Sequence, residues 1–291
     1  VVVACMFLLL RGVSESATLN NVMVILKMGV LIFFCLVAFT AFDGSNFAPF
    51  APLGVAGIGA AAGQVFFSYI GFDAASTAGE EAKNPKRDLP LAIVGSLVVV
   101  TFFYLLVTIA TIGANGGQPE DYEGKTGEAV LATVANEVTG GTWAGAIIAL
   151  GAVISIFSVV LVTMYGQTRI LFAMGRDGLL PKVFTKVNPA TQTPVNNTII
   201  VGVVISILAA LVPLGQLAEA TSIGTRFAFM IVNAGVISLR RTRPNMPRSF
   251  KTPLYPITPI LGVIGCIYLI SSLASITWLV FFSWLVVGMI V

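Results

Sequence analysis

Long apolar stretches, most of about 17 to 25 residues, recur along the whole 291-residue chain, and they confine its fold more tightly than any motif does. The complete ones are Val22 to Phe39, Gly54 to Ala78, Leu89 to Ile112, Trp143 to Met174, Val195 to Val212, Leu214 to Leu239 and Ile257 to Ile276. At about 1.5 Å of rise per residue, a helix of that length crosses a hydrocarbon core of roughly 30 Å. Lipid offers no partner to backbone N–H and C=O groups, so spanning segments are helices or strands of closed barrels. Barrel strands would alternate over about ten residues, whereas these runs are continuous. The expected fold class is an all-α, multi-spanning membrane protein. Composition agrees: 57% hydrophobic residues, 10% charged and a mean hydropathy of +0.96, against about 25% charged in soluble domains.

The two ends are partial runs. Val1 to Leu10 is short for a span, and the last run, from Trp278, reaches Val291 without a polar flank. The opening run has no charged n-region or cleavage site and does not read as a signal peptide. These features predict an internal piece of a longer protein. Basic residues fall in alternate loops: Arg11; Lys83, Lys86 and Arg87; Arg169, Arg176, Lys182 and Lys186; then Arg240, Arg241, Arg243, Arg248 and Lys251. That asymmetry predicts those loops on the cytoplasmic face of a cell membrane. The opposite side holds Lys125 and a long acidic loop, Gly113 to Thr142, with Glu120, Asp121, Glu123, Glu128 and Glu137. Topology thus accounts for the net charge of +3, which gives no ground for a nucleic-acid partner. Cys5, Cys35 and Cys266 lie within apolar runs without paired spacing, and the chain has no histidine, so they read as small core residues and no metal or cofactor is expected.

Two residues or groups stand out within the spans. Lys27 lies in the apolar run Val22 to Phe39, where burying an ammonium costs at least a few kcal/mol. Such a lysine is expected to face a polar interior, pair, or shed its proton, which makes it a candidate coupling site; the alternative is a side chain that snorkels to the cytoplasmic interface. The run Gly54 to Ala78 holds Gly71 beside Phe72 and Asp73. Interior glycine costs a helix about 1 kcal/mol relative to alanine, and an intramembrane carboxylate needs a cavity or partner. A break near Ser68 to Gly71 is therefore expected, with a kink capped by Asp73 as the alternative. A broken helix offers N–H groups at one new end and carbonyls at the other, a cradle for the carboxylate and ammonium of an amino acid.

The run FFSYIGFDAASTAGEEAKNPKRDLP, Phe66 to Pro90, resembles the sixth helix and following loop of the amino acid-polyamine-organocation transporters, in their cationic amino acid transporter branch. MYGQTRILFAMGRDGLLP, Met164 to Pro181, and LAEATSIGTRFAFMIVNAGVISLRRTRPNMPRSFKTP, Leu217 to Pro253, agree with it in the family's order. The resemblance implies a LeuT-like inverted-repeat fold in which Val1 falls in the fourth helix. Residues 1–53 would be a remnant of the first repeat, 54–240 the second repeat, and 241–291 helix eleven with part of helix twelve. It also implies that three preceding helices, absent from this sequence, are required for function.

In such transporters substrate sits between broken helices one and six. The resemblance therefore assigns substrate binding to Phe67, Ser68, Ile70, Gly71 and Asp73, while Phe66, Tyr69 and Phe72 either wall that pocket or simply pack. It matches Lys27, in NNVMVILKMGV, to the fifth-helix lysine of proton-coupled relatives, with Ser158 as its partner on the eighth helix. Protonation would place a positive charge where sodium-coupled members bind an ion. Two residues depart from the pattern: Phe157 replaces a small hydroxyl residue, and Arg226 replaces an apolar one. A guanidinium does not neutralise itself, so Arg226 needs an acid or water; Glu219 is nearest in sequence, but roughly 10 Å along the helix favours a partner on a different helix, and no specialised role is preferred over a charge in an extracellular vestibule.

The implied function is secondary active transport of cationic or small neutral amino acids by alternating access, with protons as the coupling ion and the bilayer as solvent. Exchange of amino acids or polyamines is one alternative, and a channel or sensor on a transporter fold another. An enzyme would need a nucleophile with a base, or a metal cluster, which this composition does not offer. The mixed-charge turn Glu80, Glu81, Lys83, Lys86, Arg87 and Asp88, punctuated by Pro85 and Pro90, reads either as a solvated loop or as a lock on the inward face.

Overall fold

The structure, a computed structural model, describes residues 1–11, 13–73, 76, 82–117, 122, 129–189, 193–248, 250–271, 273 and 275–290. Among these it is helical throughout, with one isolated bridge between Asn188 and Thr193. The helices are α1 (Val2–Arg11), α2 (Val13–Phe39), α3 (Gly54–Tyr69), α4 (Pro85–Asn115), α5 (Val130–Thr139), α6 (Trp143–Arg176), α7 (Val195–Leu211), α8 (Leu214–Thr242), α9 (Ile257–Ser271) and α10 (Ser275–Ile290). The all-α, multi-spanning class follows directly.

Among the described residues four segments are by themselves long and apolar enough to cross a membrane: Thr18–Phe39, Pro85–Asn115, Trp143–Arg176 and Leu214–Thr242. The other apolar runs make shorter helices. The run from Gly54 is cut at Tyr69, and the run from Ile257 is helical for 15 residues. Along α4, Val94, Val98, Phe102, Leu105 and Ile109 lie on one broad exposed face, a surface that lipid covers and water would not.

Packing divides the chain into two compact units, Val1–Pro52 with Ser96–Ile207, and Leu53–Gly95 with Leu208–Val291. The first unit has two apolar clusters. One joins Phe34, Cys35 and Ala38 of α2 to Ala110 of α4, Val134 and Ala135 of α5, and Ala144 and Ile148 of α6. The other joins Cys5 and Leu9 of α1 to Met23 of α2, Leu161 and Met164 of α6, and Val201 of α7. Helices α2 and α6 run antiparallel, with Phe33 against Trp143 at one end and Asn20 against Ser158 towards the other. In the second unit Ile223 of α8, Ile270 of α9 and Phe281 of α10 form the core, and α3 packs on α8 and α9. All three cysteines are buried free thiols, as expected of core residues.

Two expectations need correcting. The segment Gly113 to Thr142 is not loop throughout, because α5 forms within it. Val130, Leu131, Val134 and Val138 recur at helical spacing and bury one face, and Gly140, at φ +65°, ends the helix. The Asn136 side chain then accepts from the Gly145 N–H at 2.8 Å, capping the start of α6 from outside. Glu120, Asp121, Glu123, Lys125 and Glu128 lie outside the described residues. Likewise Lys86, Arg87, Asp88 and Pro90 are not a turn: Pro85 opens α4, where its missing N–H costs nothing, and the Asn84 carbonyl accepts from the N–H groups of Arg87 and Asp88. Glu80 and Glu81 lie outside the described residues. After α2 the chain turns through Asp43, whose carboxylate accepts from the Ser45 N–H (2.8 Å) and hydroxyl (2.7 Å); those bonds hold its carboxyl below the usual carboxylate range.

Candidate functional site

Helix α2 carries the first group of candidate residues. Asn20, Met23, Lys27, Val30 and Phe34 recur every three or four residues and so share one face. Met23 belongs to one apolar cluster and Phe34 to the other, with Val30 packed against the latter, so Lys27 falls between the two clusters. The apolar segment Thr18–Phe39 has 22 residues, which puts half-buried Lys27 close to its middle. Close approach of α6 near this level depends on Gly151. A Cβ there would stand 2.6 and 2.8 Å from the two Val30 methyl carbons. Gly151→Leu is expected to force α2 away from α6 and lower stability by about 1–3 kcal/mol, read as a lower melting temperature.

Ser158, 1% exposed on α6, donates to the Asn20 side chain at 2.7 Å. Asn20 lies two turns before Lys27, about 10 Å along α2. Ser158 is thus tied to the same face of α2 as Lys27, through a residue that sequence reasoning passed over. Its signal was present: an amide seven positions before the lysine shares the lysine's face.

The second group surrounds the end of α3. The helix stops at Tyr69 inside its apolar run, Ile70 is extended at φ −63°, ψ 129°, and Gly71 takes φ +124°, a conformation that only glycine adopts without strain. Interruption is therefore where the sequence put it; continuation beyond the turn falls at residues 74–75 and 77–81, outside the described residues. The Phe67 carbonyl accepts from the Ile70 N–H at 3.2 Å. The Asp73 carboxylate reaches back to the Gly71 N–H at 3.2 Å, and its carbonyl accepts from the Ser76 N–H (2.9 Å) and hydroxyl (2.6 Å). Phe67 and Ser68 are exposed, whereas Phe66 and Phe72 both pack on Phe229 of α8, with ring centroids 6.1 and 5.2 Å apart. Of the aromatic residues here, Phe66 and Phe72 fasten the two sides of the break to α8.

Sequence reasoning left the role of Arg226 of α8 open, with a vestibule charge as the default and a partner on a different helix favoured over Glu219. Arg226 is 0% exposed and does not stand in a vestibule. Its guanidinium donates to the Leu269 carbonyl of α9 at 3.0 Å and to the Gly63 carbonyl of α3, and it covers the Phe66 ring at 4.8 Å. Glu219 takes no part, because its carboxylate accepts from the Thr277 hydroxyl at 2.5 Å. Small residues on α3 allow this packing: Gly59 and Gly63 are its buried positions, and a Cβ on Gly59 would collide with the Tyr268 hydroxyl.

Residues 1–290 match the family described as amino acid permease. The chain belongs to that family. It is 40% identical, over its whole length, to the branched-chain amino acid permease BcaP of Bacillus subtilis (strain 168), of which it covers 62%. A methylthioribose transporter of the same organism is 37% identical over 97% of the chain and 60% of its own length. The vacuolar cationic amino acid transporter 4 of Arabidopsis thaliana is 34% identical over 82% of the chain and 40% of its own length. The chain thus spans about three fifths of the two bacterial relatives. The permease family brings with it the LeuT-like fold that the three motifs implied, and these relatives are transporters rather than enzymes.

Proposed function

We propose that the protein is a secondary active transporter that carries amino acids across the cell membrane in symport with protons, its basic loops facing the cytoplasm. The observation that carries the reading is the end of α3 at Tyr69, inside an apolar run, with Gly71 at φ +124°. A helix C-terminus carries partial negative charge on its carbonyls, which suits a substrate ammonium group. Phe67, Ser68, Ile70, Gly71 and Asp73 form the substrate-binding segment on this reading. Lys27 is the proton-coupling residue, and Ser158 supports it through Asn20. Residues 54–240 make the second inverted repeat, and 1–53 the remainder of the first.

Relatives named for branched-chain and for cationic amino acids keep both neutral and cationic substrates within the proposal. The test is uptake of labelled leucine and labelled arginine by the full-length protein in liposomes. Accumulation above the external concentration under an imposed inward proton gradient, abolished by a protonophore, is the expected result. Uptake that needs preloaded substrate and ignores the gradient would make the protein an exchanger, and ion currents without amino acid uptake would make it a channel.

A further inference from the structure

We infer that Arg226 sets the charge selectivity of this transporter, turning away substrates with a cationic side chain and leaving the α3 break to neutral amino acids. The inference rests on the proposed binding of substrate at that break. A guanidinium keeps its charge at working pH, and this one is fixed by main-chain carbonyls of two neighbouring helices. The two carbonyls engage its terminal nitrogens but leave the net charge in place, and its buried Nε–H has no partner among the described residues. Among the described residues no carboxylate stands within ion-pair distance of it, and Glu219 is turned to Thr277.

The charge is built into the break. Gly63, which accepts from Arg226, precedes Ile70 by seven residues, about 10 Å along α3. Phe66, under the guanidinium, packs on Phe229, and so does Phe72 beyond the break. A neutral amino acid, with ammonium and carboxylate together, brings no net charge to the break, whereas a cationic one brings one positive charge; at about 10 Å and an effective dielectric near 20 that difference disfavours the cation by roughly ten- to twentyfold. Phe66 also cannot offer that ring face to a cationic ligand, because Arg226 already lies over it. Asp73 pulls the other way, but it is half-exposed and spends an oxygen on the Gly71 N–H. Solvent screens an accessible charge far more than a buried one, so the buried cation prevails. The aromatic side chains around the break suit an apolar substrate side chain.

The experiment is competition for labelled leucine uptake by full-length protein in liposomes, with leucine, lysine and arginine as competitors. Wild type is expected to favour leucine over either cation by at least about tenfold. Arg226→Met should shift that ratio towards lysine and arginine by about tenfold, and Arg226→Lys should hold it near wild type. Arg226→Gln repeats the measurement if the methionine variant does not accumulate. A wild type that takes lysine or arginine as well as leucine overturns the inference even without a variant, as does a neutral variant whose ratio equals wild type. If no amino acid is taken up, the transport proposal itself fails and takes this one with it; uptake with an unmoved ratio sinks the inference alone.

Discussion

Replacing Lys27 by alanine in the full-length protein is expected to abolish the accumulation that an imposed proton gradient drives, while exchange of preloaded substrate continues. Lys27 is the sole lysine or arginine of α2 and lies close to the middle of its 22-residue apolar segment. Holding a charge there costs at least a few kcal/mol, a cost that selection tolerates where the charge is used. Removal leaves no stranded partner, since no ion pair or hydrogen bond ties Lys27 to another described residue. Breaking a buried pair would cost about 3–5 kcal/mol, so alanine here should spare the fold where such a loss would not. Lys27→Arg separates charge from proton exchange: a guanidinium keeps the charge and does not release its proton, so gradient-driven uptake should be lost there too. Gradient-driven uptake at wild-type level in Lys27→Ala, with the protein folded, would remove Lys27 from the mechanism.

The same helix shows how far sequence reaches. Its apolar run and its lysine are legible because each is a property of one segment. That Ser158 donates to Asn20 is set by the axial register of α2 on α6, fixed by the seat of Val30 against Gly151, and no pattern within either helix encodes that register. The acidic stretch before Ala129 hid α5, because charge outweighed a helical period carried by a few residues, Val130, Leu131, Val134 and Val138. Arg226 is the sharpest case. Sequence reasoning sought an acid or water for it, on a different helix, whereas its partners are the carbonyls of Gly63 and Leu269, and a carbonyl is a group that every residue supplies. The break and the lysine within the apolar run were readable; the cradle of the buried arginine was not.

The interruption of α3 was readable because its cause is a single residue, and that makes it testable. Gly71→Val is expected to reduce amino acid uptake at least tenfold and to lower stability by about 1–3 kcal/mol. At φ +124° a β-branched side chain clashes with its own backbone whatever the surrounding space, and here nothing else stands within 4 Å, so the penalty is conformational. The chain relieves it by returning residue 71 to negative φ, which lets the helix run on past Tyr69. The helix end, with the partial negative charge that suits a ligand's ammonium, would then no longer lie at Tyr69. Gly71→Ala should fall between valine and wild type. Gly224→Ala in α8 is the control: its surroundings are equally open but its φ is not in the left-handed region, so it should gain up to about 1 kcal/mol and keep full uptake. Wild-type uptake by Gly71→Val would mean that the ligand does not use the break. Loss of uptake with leucine binding intact would instead mean that the break serves movement between states, because removing the helix end from the site blocks binding first and translocation only as a consequence.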